Sequence, residues 1–212
     1  MSADMPKIAK KTIYLVRHGC TPWNKVDRCM GQQDIPLDAD GWNQARAVAN
    51  FFANRSVDAV VSSDLQRTRE TAEPLCEQKV IKPENDVRLR EIHYGELEGL
   101  TPEEWPQRFP ELMQTWAFDS YEIAPPGGES REELIRRSSA VLEERAASDA
   151  ENIVLVAHGG TIMALLTYVV FHSANLPINR SLGVFRVENG SITTLSKKGD
   201  RWRIEGVNQS PE

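Results

Sequence analysis

The stretch Thr12–Asn24, TIYLVRHGCTPWN, passes from pure packing to pure chemistry within one residue. Its first five residues are β-branched, aromatic or aliphatic and carry no charge, the composition of a short strand buried on both faces in a parallel sheet. Arg17, a fixed cation, and His18, a titratable base, follow at once. The strand reads as a carrier that delivers these two side chains to a site.

A second stretch repeats the design: NIVLVAHG, residues 152–159, is again a short apolar run ending in His-Gly. In an open parallel sheet the C-terminal strand ends lie along one edge, where ligands bind. If the two strands are neighbours, His18 and His158 share one crevice. Each following glycine lets a ligand approach the backbone, and a helix beginning after Gly160 would aim free amides and its positive dipole end at that ligand.

Between these strands the pattern alternates. GWNQARAVANFFANR places Trp42, Ala45, Ala49 and Phe52 at helical spacing, and VDAVVSS at 57–63 is a second buried strand. Ser63 or Asp64 is placed to cap a helix carrying Leu65, Thr68, Ala72 and Leu75 on one side. Arg67 falls in the first turn of that helix, at the same sheet edge. From Pro83 to Gly128 prolines, glycines and short segments such as TPEEWPQRF read as an inserted lobe. Ser130 and Glu133 have the spacing of a capping box at the start of SREELIRRSSAVLEERAAS, whose charges read as a solvated face. A helix through TIMALLTYVVF follows the second His-Gly, and Asn189-Gly190 near the end is a hairpin-turn signal. The expected fold is α/β: a mostly parallel central sheet with helices on both faces, a smaller inserted lobe at about 83–128, and a C-terminal hairpin.

The chain has 212 residues and a formal net charge of -6, within reach of one domain spanning 1–212. The acidic balance argues against nucleic acid as a partner and for a small molecule met by a local cationic pocket. Cys20, Cys29 and Cys76 form no CxxC pair and point to a reducing, cytoplasmic setting. The start, MSADMPKIAKK, has no apolar segment behind its lysines, and the apolar run 163–171 is too short for a bilayer, so no membrane association is expected. The final strands could offer an edge for pairing with a second copy.

Two arginines and two histidines around helix N-termini describe a site for a dianion, and the planar arginine fork suits the tetrahedral oxyanion of phosphate. There is no GxxxxGK[ST] loop, no HExxH, no clustered Cys/His pattern and no cysteine followed six residues later by arginine. The chemistry therefore reads as free of metal and of cofactor.

Five blocks in order, LVRHGCTPWN, SSDLQRTRETA, RLREIHYGELEG, PPGGES and VLVAHGG, resemble the histidine phosphatase superfamily, also called the phosphoglycerate mutase-like family. The resemblance runs from about Thr12 to the helix near His172. It implies a phosphomonoesterase in which His18 is the nucleophile, Glu91 the general acid and then base, and Arg17, Arg67 and His158 hold the phosphate. Asn24, Thr21 and the Gly159 amide would bind substrate as well. The substrate would be a small phosphomonoester, handled through a phosphohistidine that splits one displacement into two easier ones. Cys20 stands where the family usually has glutamate or glutamine, and reads as a small buried thiol. Glu98 reads as a brace for its loop, Arg69 as a solvated charge, and His93 and His172 as packing or surface residues.

EIHYGELEG is also similar to the mutase form of that block, so a cofactor-dependent phosphoglycerate mutase is the alternative, and a non-catalytic phosphate-binding module a third. The stretch 92–128 holds a single arginine, Arg108, amid acidic residues, which leaves a second anion clamp poorly supplied and favours hydrolysis.

Overall fold

The computed structural model describes residues 10–116 and 120–211. Residues 1–9, in the stretch read as lacking a leader, and residues 117–119 of the inserted segment lie outside the described residues.

β1 (Lys11–Arg17) is the run that opened the sequence reading, and its side chains alternate between two apolar layers. Ile13 and Leu15 pack with Val141, Leu142, Leu165 and Leu166 of α5 (Arg131–Ala147) and α6 (Gly159–Ser173). Val16, on the opposite face, packs with Val48, Ala49 and Phe52 of the α1 segment and Leu75 of α2. These two helices are Ala39–Phe51 and Gln66–Lys79. The same alternation holds in β2 (Ala59–Ser62) and β4 (Asn152–Ala157), which is why all three strands are almost wholly apolar.

The sheet has six strands in the order β3-β2-β4-β1-β5-β6. β1, β2, β4 and the two-residue β3 (Glu84–Asn85) run parallel, while β5 (Ile192–Lys198) and β6 (Arg201–Gln209) form an antiparallel hairpin against β1. The hairpin turns at Gly199-Asp200, with Gly199 at φ +58°, and not at Asn189-Gly190. Residues 181–189 form no strand, so Asn189-Gly190 has no second strand to reverse into. Gly190 instead donates its N–H to the carbonyls of Arg17 and His18, making this turn a brace for the end of β1.

Beyond β3, the segment to Gly128 contains only short elements, including the one-turn helices α3 (Trp105–Arg108) and α4 (Leu112–Thr115). Ile92, Tyr94, Leu97, Trp105 and Trp116 gather there as a separate apolar cluster that rests on Leu134, Ile135 and Ala164. α5 opens with the expected capping box between Ser130 and Glu133. α2 does not take its cap from Ser63 or Asp64: its N-cap residue is Leu65, and Asp34 accepts the Gln66 N–H at 2.6 Å. No helix among the described residues is long and apolar enough to cross a membrane.

The polar face assigned to α5 is not all solvated. Glu143 accepts hydrogen bonds from the Tyr168 hydroxyl at 2.9 Å, the Trp202 indole at 2.8 Å and Lys197, tying α5 to α6, β6 and β5. Burial alone would raise its pKa, but these donors outweigh it and hold the carboxyl below its usual value. Glu143→Ala should cost about 1–3 kcal/mol at neutral pH, seen as a lower urea midpoint. The wild-type advantage should be full above the free carboxyl value of about 4.3 and vanish as pH falls through the lower folded value.

Candidate active site

The register of β1 on β4 pairs Arg17 with Ala157, so the next residues, His18 and His158, leave the sheet side by side. Their ring centroids are 5.2 Å apart. Both rings are buried, at 1% and 0% exposure, as is Arg67 at 0%.

The two imidazoles are held as opposite tautomers. His18 Nδ1 lies 2.7 Å from the Gly19 carbonyl, an acceptor, so Nδ1 carries the proton and Nε2 keeps a lone pair. His158 Nδ1 accepts from Arg67 Nε at 3.2 Å, which places its proton on Nε2, donated to Ser63 Oγ at 3.0 Å. Burial is the main reason that both pKa values sit well below the ordinary imidazole value, and the Arg67 and Arg17 charges push the same way.

Neither Arg17 nor Arg67 forms an ion pair among the described residues. Arg67 donates to the Gln33 carbonyl at 2.7 Å and the Gly31 carbonyl at 2.8 Å besides His158. Arg17 donates to the Val187 carbonyl at 2.5 Å, while its buried Nε has no partner. Desolvation lowers the pKa of both, Arg67 to about 10, so each remains a cation at neutral pH. Glu91 offsets part of this positive charge through space without pairing with it; a buried cation such as Arg67 with no ion-pair partner is costly, and a bound anion relieves it.

Glu91 reaches the same edge from the segment after β3. Its carboxylate accepts the Ile92 N–H at 2.9 Å and the Gly160 N–H at 3.0 Å. α6 starts at Gly159, two residues earlier than the sequence suggests, and its Gly160 amide is occupied by Glu91 and not open to a ligand. The backbone behind Glu91 is clamped by Arg137, which donates to the carbonyls of Arg88 (2.7 Å), Arg90 (2.8 Å) and Glu91 (2.9 Å) and pairs with Glu129 at 2.5 Å. Arg137 belongs to the EELIRR run read as a solvated face. Helical periodicity carries no signal for a side chain that reaches back to carbonyls some 46 residues distant.

Asn24 Oδ1 accepts from Thr21 N–H and Thr21 Oγ1, both at 3.0 Å, and from Asn189 Nδ2 at 3.3 Å. This loads the carbonyl end and leaves the Nδ2 end as a donor. Thr21 is fully buried, with its hydroxyl committed to this loop. The Gly159 backbone lies against the Arg17 guanidinium: a Cβ there would sit 3.4 Å from Nε. Ser63 and Asn189 were not foreseen as site residues, and both act only through contacts made across the fold.

Glu98 braces its surroundings, accepting the N–H of Gln32 at 2.9 Å and of Tyr94 at 3.1 Å. Arg69 is exposed, His172 stacks on Tyr168, and His93 sits half-exposed 3.7 Å from Glu98. Cys20 is partly buried, and burial with the nearby Asp38 raises its pKa, which keeps it a thiol. Arg17, His18, Arg67 and Glu91 together line a cavity of about 190 Å³. Among the described residues no three His, Cys, Asp or Glu side chains gather as metal ligands.

Residues 13–210 match the family model of the histidine phosphatase superfamily, branch 1. Among curated proteins, a glucosyl-3-phosphoglycerate phosphatase of Mycobacterium tuberculosis is 34% identical over 219 residues, covering 95% of this chain and 96% of the relative. A probable phosphoglycerate mutase of Serratia proteamaculans is 34% identical over 200 residues, covering 92% and 88%. The solved complex of a mycobacterial glucosyl-3-phosphoglycerate phosphatase with VO3 superposes with a TM-score of 0.84 at 34% identity, covering 94% of this chain and 100% of that one.

Two measurements check this geometry. With the site free of ligand, NMR should find both His18 and His158 neutral at neutral pH, with no ring titration through the ordinary imidazole range. A Cβ on Gly160 would overlap Glu91 Oε1. Gly160→Ala should therefore lower phosphatase kcat/KM by roughly 10- to 100-fold, because it displaces the carboxylate. Its melting temperature should be unchanged or higher, since alanine exceeds glycine in a helix by about 1 kcal/mol.

Proposed function

The chain belongs to the histidine phosphatase superfamily, and we propose on that premise that it hydrolyses a small phosphomonoester through a phosphohistidine on His18. The observation that carries this reading is the pairing of an imidazole lone pair with two guanidinium groups, Arg67 fully buried and Arg17 half-buried with its Nε enclosed, neither in an ion pair among the described residues. A phosphate dianion supplies the missing negative charge and brings phosphorus to the nucleophile.

In the first step His18 Nε2 forms a bond to phosphorus while the bond to the alcohol oxygen breaks. Arg17 and Arg67 hold the peripheral oxygens, His158 joins them by turning its Nε2–H from Ser63 Oγ to the phosphate, and the Asn24 amide and the Gly159 N–H are further donors. Phosphoryl transfer asks mainly for in-line placement and charge stabilisation, and these groups provide both. The departing alkoxide takes a proton from Glu91. Each carboxyl oxygen keeps a lone pair beyond the one that accepts a backbone N–H, so Glu91 can carry that proton while the amides fix its position. In the second step water attacks phosphorus, Glu91 accepts its proton, the P–N bond breaks and its electron pair returns to His18. Thr21 serves this chemistry indirectly, by orienting Asn24.

Hydrolysis is preferred to mutase transfer because Arg17 and Arg67 are the cations among the cavity-lining residues, and both are committed to the first phosphate. Re-phosphorylation of a bound phosphoglycerate needs a further clamp for its carboxylate.

Rapid-quench mass spectrometry during turnover of an aryl phosphate should find an acid-labile, base-stable phosphoryl group on His18. His18→Ala should remove it and lower activity by at least about 10³-fold. Phosphate on Cys20 or on a carboxylate would overturn the assignment.

A further inference from the structure

The cavity has two halves of opposite character. The inner half holds Arg17, His18, Arg67 and Glu91; the outer half is made by Asp27, Cys29, Met30, Tyr94, Pro102 and Trp105. That outer half contains two aromatic rings, a thiol, a thioether, a proline and one carboxylate, and no cation. Tyr94 and Trp105 are buried in the lobe cluster, whereas Asp27 stands exposed at the rim in a left-handed backbone conformation, φ 46°.

Arg28, Arg90, Arg131 and Lys25, the cations nearest this half, are engaged elsewhere. Arg28, next to Asp27, donates to the Gly99 carbonyl and lies over the Trp23 ring, 5.9 Å from its centroid. Arg90 is locked on Asp64, with one contact of 2.7 Å. Arg131 is buried behind Tyr94, whose side chain it hydrogen-bonds. Arg108 is exposed on α3. Lys25 is paired with Asp38 at 2.8 Å and with Asp40 at 2.6 Å.

We infer that the alcohol half of the substrate carries no anionic group, and that Asp27 enforces this selection. The inference rests on the phosphomonoesterase reading and narrows its substrate class to phosphates of small neutral or amine-bearing alcohols. A carboxylate in the outer half would lose hydration against Met30, Pro102 and the rings, gain no cation in return, and face Asp27. A hydroxyl or an ammonium group escapes that repulsion, and an ammonium gains from the rings and from Asp27. At about 190 Å³ the cavity is smaller than the usual drug-sized pocket, which sets the scale of the alcohol. In this selection the protein parts from its relatives named for glucosyl-3-phosphoglycerate, a substrate with a carboxylate.

Glycerol 3-phosphate and 3-phosphoglycerate differ in a hydroxymethyl group against a carboxylate and so isolate the charge. Purified enzyme should show a kcat/KM for glycerol 3-phosphate at least about tenfold above that for 3-phosphoglycerate, with phosphoethanolamine on the favourable side. Asp27→Asn should shrink the ratio severalfold by raising turnover of 3-phosphoglycerate, and more so at low salt, where an exposed charge acts furthest. p-Nitrophenyl phosphate reports separately on the phosphatase reading. If it is turned over while 3-phosphoglycerate equals or exceeds glycerol 3-phosphate, the inference falls and the phosphatase stands. If no phosphomonoester is turned over, equilibrium binding to His18→Ala protein decides the charge preference alone: tighter glycerol 3-phosphate supports it, and equal or tighter 3-phosphoglycerate overturns it.

Discussion

The register of β1 on β4 is the constraint from which the site follows. Six residue pairs, Thr12↔Asn152 to Arg17↔Ala157, set the two His-Gly ends level. Because side chains alternate faces along a strand, a slip of one residue would turn Ile13 and Leu15 away from α5 and α6 and would separate the two imidazoles by a residue's rise. The apolar layers on both faces penalise that slip, so the packing of the core and the alignment of the site are enforced by the same contacts.

What that alignment assembles is electrostatically expensive. Arg67 is buried and Arg17 half-buried, neither in an ion pair among the described residues, and the protein meets the cost with oriented dipoles: the carbonyls of Gly31, Gln33 and Val187, and the Nδ1 lone pair of His158. Carbonyl oxygens steady a guanidinium without neutralising it. The site thus keeps its positive field in the absence of a ligand and also keeps both imidazoles neutral, which is the condition for one of them to act as a nucleophile.

Much of this was legible along the chain, and the boundary of legibility is physical. β1, β2 and β4 announce themselves because strands buried on both faces must be apolar throughout, and Arg17, His18, Arg67 and His158 are visible because each interrupts or follows such a run. The helices showed through periodicity and, for α5, through the Ser130–Glu133 box. Long-range use of side chains was not legible. Asn189-Gly190 has turn-forming residues, but a hairpin needs a strand on both sides, and here residues 181–189 form none while the turn packs on the carbonyls of Arg17 and His18. Arg137 and Glu143 look like solvated charges by local pattern, yet their partners lie on other elements. Ser63 or Asp64 was read as a helix cap, whereas the fold sets the Ser63 hydroxyl on the ring of His158 and pairs Asp64 with Arg90. α6 starts two residues before the point the sequence suggests, and the amide of Gly160 within its first turn is satisfied by the carboxylate of Glu91, distant in sequence.

The cluster that holds Tyr94, Leu97, Trp105 and Trp116 is distinct from the two apolar layers that flank the sheet. It meets the rest of the molecule mainly through Leu134, Ile135 and Ala164, on the outer turns of α5 and α6. Much of the recognition wall therefore rests on its own cluster, while Glu91, beside Ile92 of that cluster, ties the wall to the reacting edge. The outer wall of the cavity can be repacked at little cost to the strand register beneath it, provided the contacts that hold Ile92 and Glu91 are kept, so this architecture can diversify its substrates by drift in one module while the phosphate-handling edge stays under strict steric control.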